Sequence, residues 1–348
     1  MESEASHQHP KHNKLTNHDS ILTIPVLPAE LVIEILSRLP VKSLLQFTCV
    51  SKSWLALISS PEFIKTHLSL SANNKDYTHH KVMMSSYSRL MSNVKACSLR
   101  SLFYDSITEA FDLDCPLISY ARYMCDHVSF IGSVNGLICL LIQVNEYFIW
   151  NPSIRKYKKL PNTRVPMRVT YRSVSGFGYD ELHDDYKVVV SFYSNSTNPD
   201  CEVMIYSLKS DSWRTRDNDG RELANGRGMF VNGKLHWTTT SDDYCFNHNS
   251  KNIISFDLAD EKWGTVEEPC YGEVGVLGSD FSIFSDCKET HLHVWIMKEY
   301  GVKESWTKML TIKGLFGCRL VGGFTNKMGQ AYSQGLALEA QHVENLSH

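Results

Sequence analysis

Ile24-Pro-Val-Leu-Pro-Ala-Glu-Leu-Val-Ile-Glu-Ile-Leu-Ser-Arg-Leu-Pro-Val-Lys-Ser-Leu-Leu-Gln-Phe-Thr-Cys-Val-Ser-Lys-Ser-Trp54 carries more apolar side chains than a few short helices can bury in one another. Pro28 suits the first turn of a helix, where its missing N–H costs nothing. Leu31, Ile35, Leu36 and Leu39 follow at helical spacing, with Glu30, Glu34 and Arg38 on the other side. Pro40 ends that helix, because it biases Leu39 away from the α region. Leu44, Leu45, Phe47, Val50, Trp54, Leu57 and Ile58 continue the series through one or two more short helices, until Pro61 interrupts. A bundle of about 40 residues sits at the limit below which disulfides, metals or a partner are needed. With neither disulfide nor metal motif in the stretch, a partner protein is the economical cover for the surplus apolar surface.

The whole chain bounds the reading further. Its 348 residues allow two domains, and 43% hydrophobic with 21% charged residues is ordinary globular composition. A net charge of −3 argues against a nucleic-acid binder that works by bulk positive charge. No apolar run is long enough for a transmembrane helix, and the polar, His-rich start (His7, His9, His12, His18) is no secretory signal. The ten cysteines include no Cys-x-x-Cys pair, and Cys139 sits within the apolar run Leu137-Ile-Cys-Leu-Leu141. Buried free thiols in a reducing compartment, cytosol or nucleus, fit that pattern better than a disulfide framework or a zinc site.

The chain divides by character into a polar tail (1–20), the helical module (21–67), a turn-rich linker (68–80), a strand-rich region (81–327) and a closing tail (328–348) without strand alternation. Tyr186, Val188, Val190 and Phe192 alternate with Lys187 and Ser191, which predicts a half-buried strand. Asn135-Gly136 and Asn232-Gly233 stand between apolar runs and predict type I′ hairpins. A second phrase recurs in Trp150-Asn-Pro-Ser-Ile-Arg-Lys-Tyr157, Tyr206-Ser-Leu-Lys-Ser-Asp-Ser-Trp213 and Phe256-Asp-Leu-Ala-Asp-Glu-Lys-Trp263, an aromatic, a polar turn, then an aromatic seven positions on. A looser copy is Val294 to Trp306. A period of roughly 45–55 residues is that of four-stranded propeller blades, with the aromatics packing between blades.

Leu27-Pro28, Leu31, Glu34-Ile35-Leu36, Arg38-Leu39-Pro40-Val41-Lys42-Ser43-Leu44, Phe47 and Cys49-Val50-Ser51-Lys52-Ser53-Trp54 resemble an F-box in its plant form, over residues 21–67. Gly132-Ser-Val-Asn-Gly-Leu-Ile138, Trp150 to Tyr157, Lys159-Leu-Pro161, Gly176-Phe-Gly-Tyr-Asp180, Asp185-Tyr-Lys-Val-Val189 and Val231-Asn-Gly-Lys-Leu-His-Trp237 resemble, in order and spacing, the kelch-like F-box-associated domain. The resemblance implies a multi-domain α+β chain, a small N-terminal helical F-box followed by an all-β kelch-like propeller. The family closes with one or two further apolar strands after Gly322-Gly-Phe-Thr-Asn-Lys327, and residues 328–348 supply none, so the last blade is expected to be incomplete.

The resemblance further implies docking onto a Skp-type adaptor, itself held by a cullin–RING ubiquitin ligase, with an unidentified target protein on the β domain. Leu27, Pro28, Leu31, Ile35, Leu36, Leu39, Pro40, Leu44, Val50 and Trp54 are the adaptor-binding candidates; periodicity does not separate adaptor-facing from core-facing positions. The resemblance puts Leu27, Pro28, Leu31 and Leu36 in the facing set.

No catalytic constellation, metal site or cofactor fingerprint stands out. Gly176-Phe-Gly178 lacks the rest of a phosphate-binding motif and reads as a turn pair. His291 and His293 would share a strand face but lack a local third ligand. Arg155, Lys156, Lys158 and Lys159, with Arg164, Arg168 and Arg172 beyond, form the one local charge asymmetry. They are weak substrate-binding candidates, since a polar blade turn ordinarily carries such charges. The loops 194–200, 217–227 and 241–251 are the other candidates for a target surface. The function expected is that of a non-catalytic substrate-recognition subunit of a Skp–cullin–F-box ubiquitin ligase, with no nucleic acid, membrane or cofactor. The alternatives are an adaptor-binding module that drives no degradation or is truncated, and a kelch-type enzyme or carbohydrate binder.

Overall fold

Pro28, Pro40, Ser51 and Pro61 each stand at the entry of a helix, so the prolines and one serine punctuate the N-terminal module. The helices are α1 (Ala29–Ser37), α2 (Val41–Phe47), α3 (Lys52–Ile58) and α4 (Pro61–Ala72). Ser51 caps α3 by accepting from the Trp54 N–H at 3.1 Å, and Ser60 does the same for Phe63 at 3.2 Å. Pro61 therefore opens a fourth helix rather than ending the module. That helix runs to Ala72, through the first residues assigned to the linker.

The protein is known from a computed structural model that describes residues 27–72, 81–88, 91–98, 100–101, 105, 109–113, 115, 128–142, 145–163, 171–194, 202–217, 226–238, 253–270, 272–277, 280–287 and 291–313. The expectations for both tails, for most of the linker and for the three target loops fall largely outside these residues.

Leu36, Leu44, Ile58 and Phe63 form the buried core of the module, with Val32, Leu39, Phe47, Trp54 and Leu57 packed against it. Phe47 meets Trp54 edge-to-face with ring centroids 5.7 Å apart. The His67 imidazole bonds the Leu39 carbonyl at 2.9 Å, which pins α4 to the end of α1.

From Lys81 the described chain is a series of antiparallel meanders. The first is β1 (Lys81–Ser88), β2 (Met91–Ser98) and β3 (Phe111–Asp112). The second is β4 (Val128–Val134), β5 (Leu137–Ile142), β6 (Glu146–Asn151) and β7 (Lys156–Lys159). The third is β8 (Tyr171–Asp180), β9 (Asp185–Ser194), β10 (Glu202–Ser207) and β11 (Ser212–Asp217). The fourth is β12 (Gly226–Val231), β13 (Lys234–Thr238), β14 (Ile253–Asp257) and β15 (Trp263–Val266). The fifth is β16 (Glu273–Leu277), β17 (Asp280–Cys287), β18 (His291–Met297) and β19 (Trp306–Lys313).

Each meander is a propeller blade. The first strands of successive blades lie side by side, β1 by β4, β4 by β8 and β12 by β16. Between the third and fourth blades this proximity becomes a parallel ladder, Gly226–Val174, Arg227–Ser175 and Gly228–Gly176, so the two blades share one eight-stranded sheet.

The apolar cores lie between blades. One joins Ile131, Cys139, Tyr147 and Ile149 of the second blade to Phe177, Val188, Val190, Met204 and Tyr206 of the third. Another joins Val174, Val189, Val203 and Ile205 of the third to Leu235, Trp237, Ile254 and Phe256 of the fourth. Neighbouring residues such as Val188 and Val189 thus serve different cores, as strand alternation requires. The strand around Val188 is buried on both faces, not half-buried, because a middle strand of a blade has a blade on either side.

Both Asn-Gly pairs form the expected tight turns, with φ of 52° at Asn135, 77° at Gly136, 50° at Asn232 and 74° at Gly233. The aromatic phrases are cross-strand pairs at the outer hairpin of three blades: Trp150 opposite Tyr157, Tyr206 opposite Trp213, Phe256 opposite Trp263. They also reach between blades, since Trp213 packs on Tyr147 at 5.8 Å and donates to the Pro161 carbonyl at 2.6 Å. Gly176 and Gly178 are not a turn pair. They lie inside β8, where a Cβ at Gly176 would stand 2.8 Å from the Leu235 side chain, and Gly178 is crowded likewise by Phe230 and Leu258.

Candidate functional site

The adaptor candidates separate into two groups. Leu27, Leu31 and Ile35 recur every four residues along one stripe at α1 and are 55%, 45% and 51% exposed, with Val50 at 59% beside α3. Leu36, one position beyond Ile35, is 1% exposed and Leu44 5%. These two belong to the core of the module, so Leu36, expected on the facing surface, is buried instead. A helix turns about 100° per residue, so Ile35 and Leu36 cannot look the same way. Leu39 and Trp54 are half-buried against the core, while Pro28 and Pro40 are exposed. Glu34 and Arg38 pair at 3.0 Å on the solvent side. Ile33, Leu45 and Leu55 also present exposed aliphatic side chains. Their residue types were visible in the sequence, but only the packing shows which way they point.

Two lysines of the basic cluster of the second blade make ion pairs within the fold. Lys158 pairs with Asp211 of the third blade at 2.8 Å, and Lys159 with Glu146 at 2.6 Å. They leave β7 on opposite faces, as adjacent strand residues must. Arg155 and Lys156 occupy the turn and first position of β7, and both are exposed. Arg164, Arg168 and the Arg172 side chain lie outside the described residues. The cluster is thus partly a staple between blades.

A turn motif stands behind that staple. Asn151, Asp180, Ser207 and Asp257 each accept backbone N–H bonds from the turn they open: from Ser153 at 3.0 Å, His183 at 3.1 Å, Ser210 at 3.1 Å and Ala259 at 2.9 Å. Four residues after each stands a residue in the left-handed region: Arg155, Asp184, Asp211 and Glu261, with φ of 54°, 52°, 52° and 57°.

Two of these acids receive cations from the preceding blade. Asp211 takes Lys158, and Glu261 takes Lys187 at 3.2 Å, Arg214, and Arg216 at 3.6 Å. Lys187 is buried, and its ammonium also donates to the Leu258 carbonyl at 2.6 Å and pairs with buried Asp180 at 2.8 Å. Burial pushes the Asp180 carboxyl up, but hydrogen bonds from Lys187 and His183 outweigh it and hold the group below the usual carboxylate range. The node is a buried ionic lock between the third and fourth blades.

His236 joins the fourth blade to the fifth. Its Nδ1 stands 3.2 Å from the Met229 carbonyl, which can only accept, so Nδ1 carries the proton and Nε2 accepts from the Tyr300 hydroxyl at 2.6 Å. Burial lowers its pKa to about 4, against the opposing effect of the Met229 bond. In the fifth blade burial raises the Glu273 carboxyl to about 7. His293 bonds Thr311 at 2.9 Å, and the His291 side chain lies outside the described residues. Among the described residues no three potential ligands gather for a metal ion. Cys49, Cys97, Cys115, Cys139 and Cys270 are not in disulfides. No described helix is long and apolar enough to cross a membrane.

A helical module with an uncovered apolar stripe, followed by kelch-like blades, is the arrangement that comparison with known families then meets at both ends. Residues 24–66 match the F-box domain, and residues 81–328 match the F-box associated beta propeller domain. The chain belongs to the F-box proteins with an F-box-associated propeller. Relatives of this F-box protein share most of its length. F-box/kelch-repeat protein At3g23880 of Arabidopsis thaliana is 32% identical over 306 residues, covering 83% of this chain and 80% of that one. F-box protein CPR1 of the same plant is 28% identical, covering 82% and 73% respectively. F-box protein At4g22390, also from Arabidopsis thaliana, is 29% identical with the same two coverages, 82% and 73%. The F-box match covers α1 to α3 and the first half of α4, and the propeller match spans all five blades described.

Proposed function

We propose that this F-box protein is the substrate-recognition subunit of a Skp–cullin–F-box ubiquitin ligase in the cytoplasm or nucleus. The reading rests on one observation above all: the stripe of Leu27, Leu31 and Ile35, with Val50, remains open to solvent on a module whose own core is already filled. An adaptor covering that stripe would gain about 1.5–3 kcal/mol per side chain buried. The propeller would hold a target protein, and a ubiquitin-charged enzyme elsewhere in the assembly would meet the target's lysines at high effective concentration. In this reading the chain breaks no bond itself; its contribution is proximity.

The test is capture by a purified Skp-type adaptor. Wild-type chain should be retained, and the Leu27→Ala/Leu31→Ala/Ile35→Ala variant should be lost while remaining folded by circular dichroism. Failure of folded wild-type protein to bind the adaptor would remove the ligase reading.

A further inference from the structure

The helical module and the propeller are joined by more than the chain. Lys65, on α4, places its Nζ 3.3 Å from Oδ2 of Asp184, in the β8–β9 turn of the third blade, 119 residues away. The other oxygen of that carboxylate accepts the Tyr179 hydroxyl. The Tyr179 bond and Lys65 together hold the Asp184 carboxyl below the usual carboxylate range, so its charge is present throughout the physiological window.

Both sides of this contact are stiff. On one side, Phe63 lies in the core of the module and His67 bonds the Leu39 carbonyl, so α4 cannot rotate without the rest of the helices. On the other, Asp184 sits at a left-handed position of a turn closed by Asp180, whose carboxylate is fixed by buried Lys187. Residues 73–80 join α4 to β1, so the chain itself tethers the two bodies.

We infer that Lys65 and Asp184 are positioning residues that set the angle between the adaptor-docking module and the target-holding propeller. The inference rests on the ligase reading for its purpose, since a receptor that works by proximity must present its target at a defined angle to the ubiquitin donor. An exposed ion pair is weak alone, but the tether makes its formation intramolecular. Removing the charge should therefore shift the docked population by about two- to fivefold. The docked state should also loosen with salt, as exposed pairs do.

The experiment uses the full chain with spin labels on unnatural residues at Ser59 and Glu202, both exposed. Pulsed electron–electron distances would be read for wild type, Asp184→Asn, Lys65→Asp and the exchanged pair Lys65→Asp/Asp184→Lys. Asp184→Asn keeps a residue that tolerates the left-handed turn and can still accept from Tyr179, so it removes only the charge. A wild-type distribution dominated by one distance, with the remaining distances gaining about two- to fivefold in both single variants and receding again in the exchanged pair, is the expected result. A carbodiimide should also yield the Lys65–Asp184 cross-linked peptide from wild type. Single variants with an unchanged distribution, an exchanged pair in which the remaining distances do not recede, or no such peptide would overturn the inference. Adaptor capture is measured on the same samples and should be equal in all four. Its absence in wild type would sink the ligase reading, while the distances would still judge the contact.

Discussion

In the helical module four side chains, Leu36, Leu44, Ile58 and Phe63, make up the buried core, whereas in the third blade β8, β9 and β10 each feed two cores at once. The module leaves Leu27, Leu31, Ile35 and Val50 in water. The blade covers even a lysine. Apolar surface in the first region is left open, for another molecule on the proposed reading, while in the second it is consumed by the next blade of the same chain. Substitutions should therefore separate cleanly, with binding failing in one region and stability in the other.

The sharpest break is expected from the Leu27→Ala/Leu31→Ala/Ile35→Ala variant. At about 2 kcal/mol per lost aliphatic contact, adaptor affinity should fall more than about a thousandfold, with little change in the urea midpoint of the free chain. A large drop in that midpoint would show that the stripe is core after all. Trp237→Ala is the counterpart in the propeller. It empties the space against Gly176 and Gly228 and should cost about 3–5 kcal/mol in urea unfolding, leaving adaptor capture intact.

Lys187→Met should cost about 3–5 kcal/mol by stranding the buried Asp180 carboxylate. Adding Asp180→Asn should recover part of that loss. If the double variant is no better than the single, the lock is not what holds the two blades together.

Two groups, buried His236 and part-buried Glu273, act with opposite sign on acidification. His236 stays neutral in the folded chain down to about pH 4 but takes a proton when unfolded below about 6.5. Stability should thus fall as pH drops through that window, by up to about 3 kcal/mol, and a His236→Phe variant should lack the slope. Glu273 is protonated in the fold near pH 7 and only near 4.5 in its ordinary state, so its contribution is present at low pH and is lost as pH rises through 7. Glu273→Gln should remove that rise. Urea midpoints at half-unit steps from pH 7.5 to 4.5 would resolve both.

The smallest effect should come from Lys158→Ala. Its pair with Asp211 is about half exposed, so less than about 1 kcal/mol is at stake, and the difference should fade in salt.

Much of this architecture was legible along the chain because the signals are local. Asn135-Gly136 and Asn232-Gly233 need positive φ wherever they occur, and an aromatic seven positions after another, across a polar turn, can face it on the next strand. The misreadings share a cause. Gly176 and Gly178 read as a turn pair because what forbids side chains there, Leu235, Trp237, Phe230 and Leu258, lies more than 50 residues away. Leu36 and Ile35 are equally apolar and differ only in direction. Lys187 looked like the solvent side of a strand because two of the groups that bury it, the Leu258 carbonyl and Glu261, lie 71 and 74 residues further on. For the same reason the basic run at Lys158 and Lys159 looked like one surface, though its two lysines serve different acids. The exposed stripe itself was half-legible: residue types gave the surplus of apolar surface, and packing alone shows where the surplus lies.

The ladder between β8 and β12 has a consequence for descent. Gene duplication can lengthen or shorten a repeat protein wherever neighbouring units meet only through side chains. Between the third and fourth blades the backbones themselves are bonded, through Val174 with Gly226 and Gly176 with Gly228. A unit inserted or deleted at that seam would have to sever a hydrogen-bonded ladder, so these two blades are expected to be inherited as an inseparable pair.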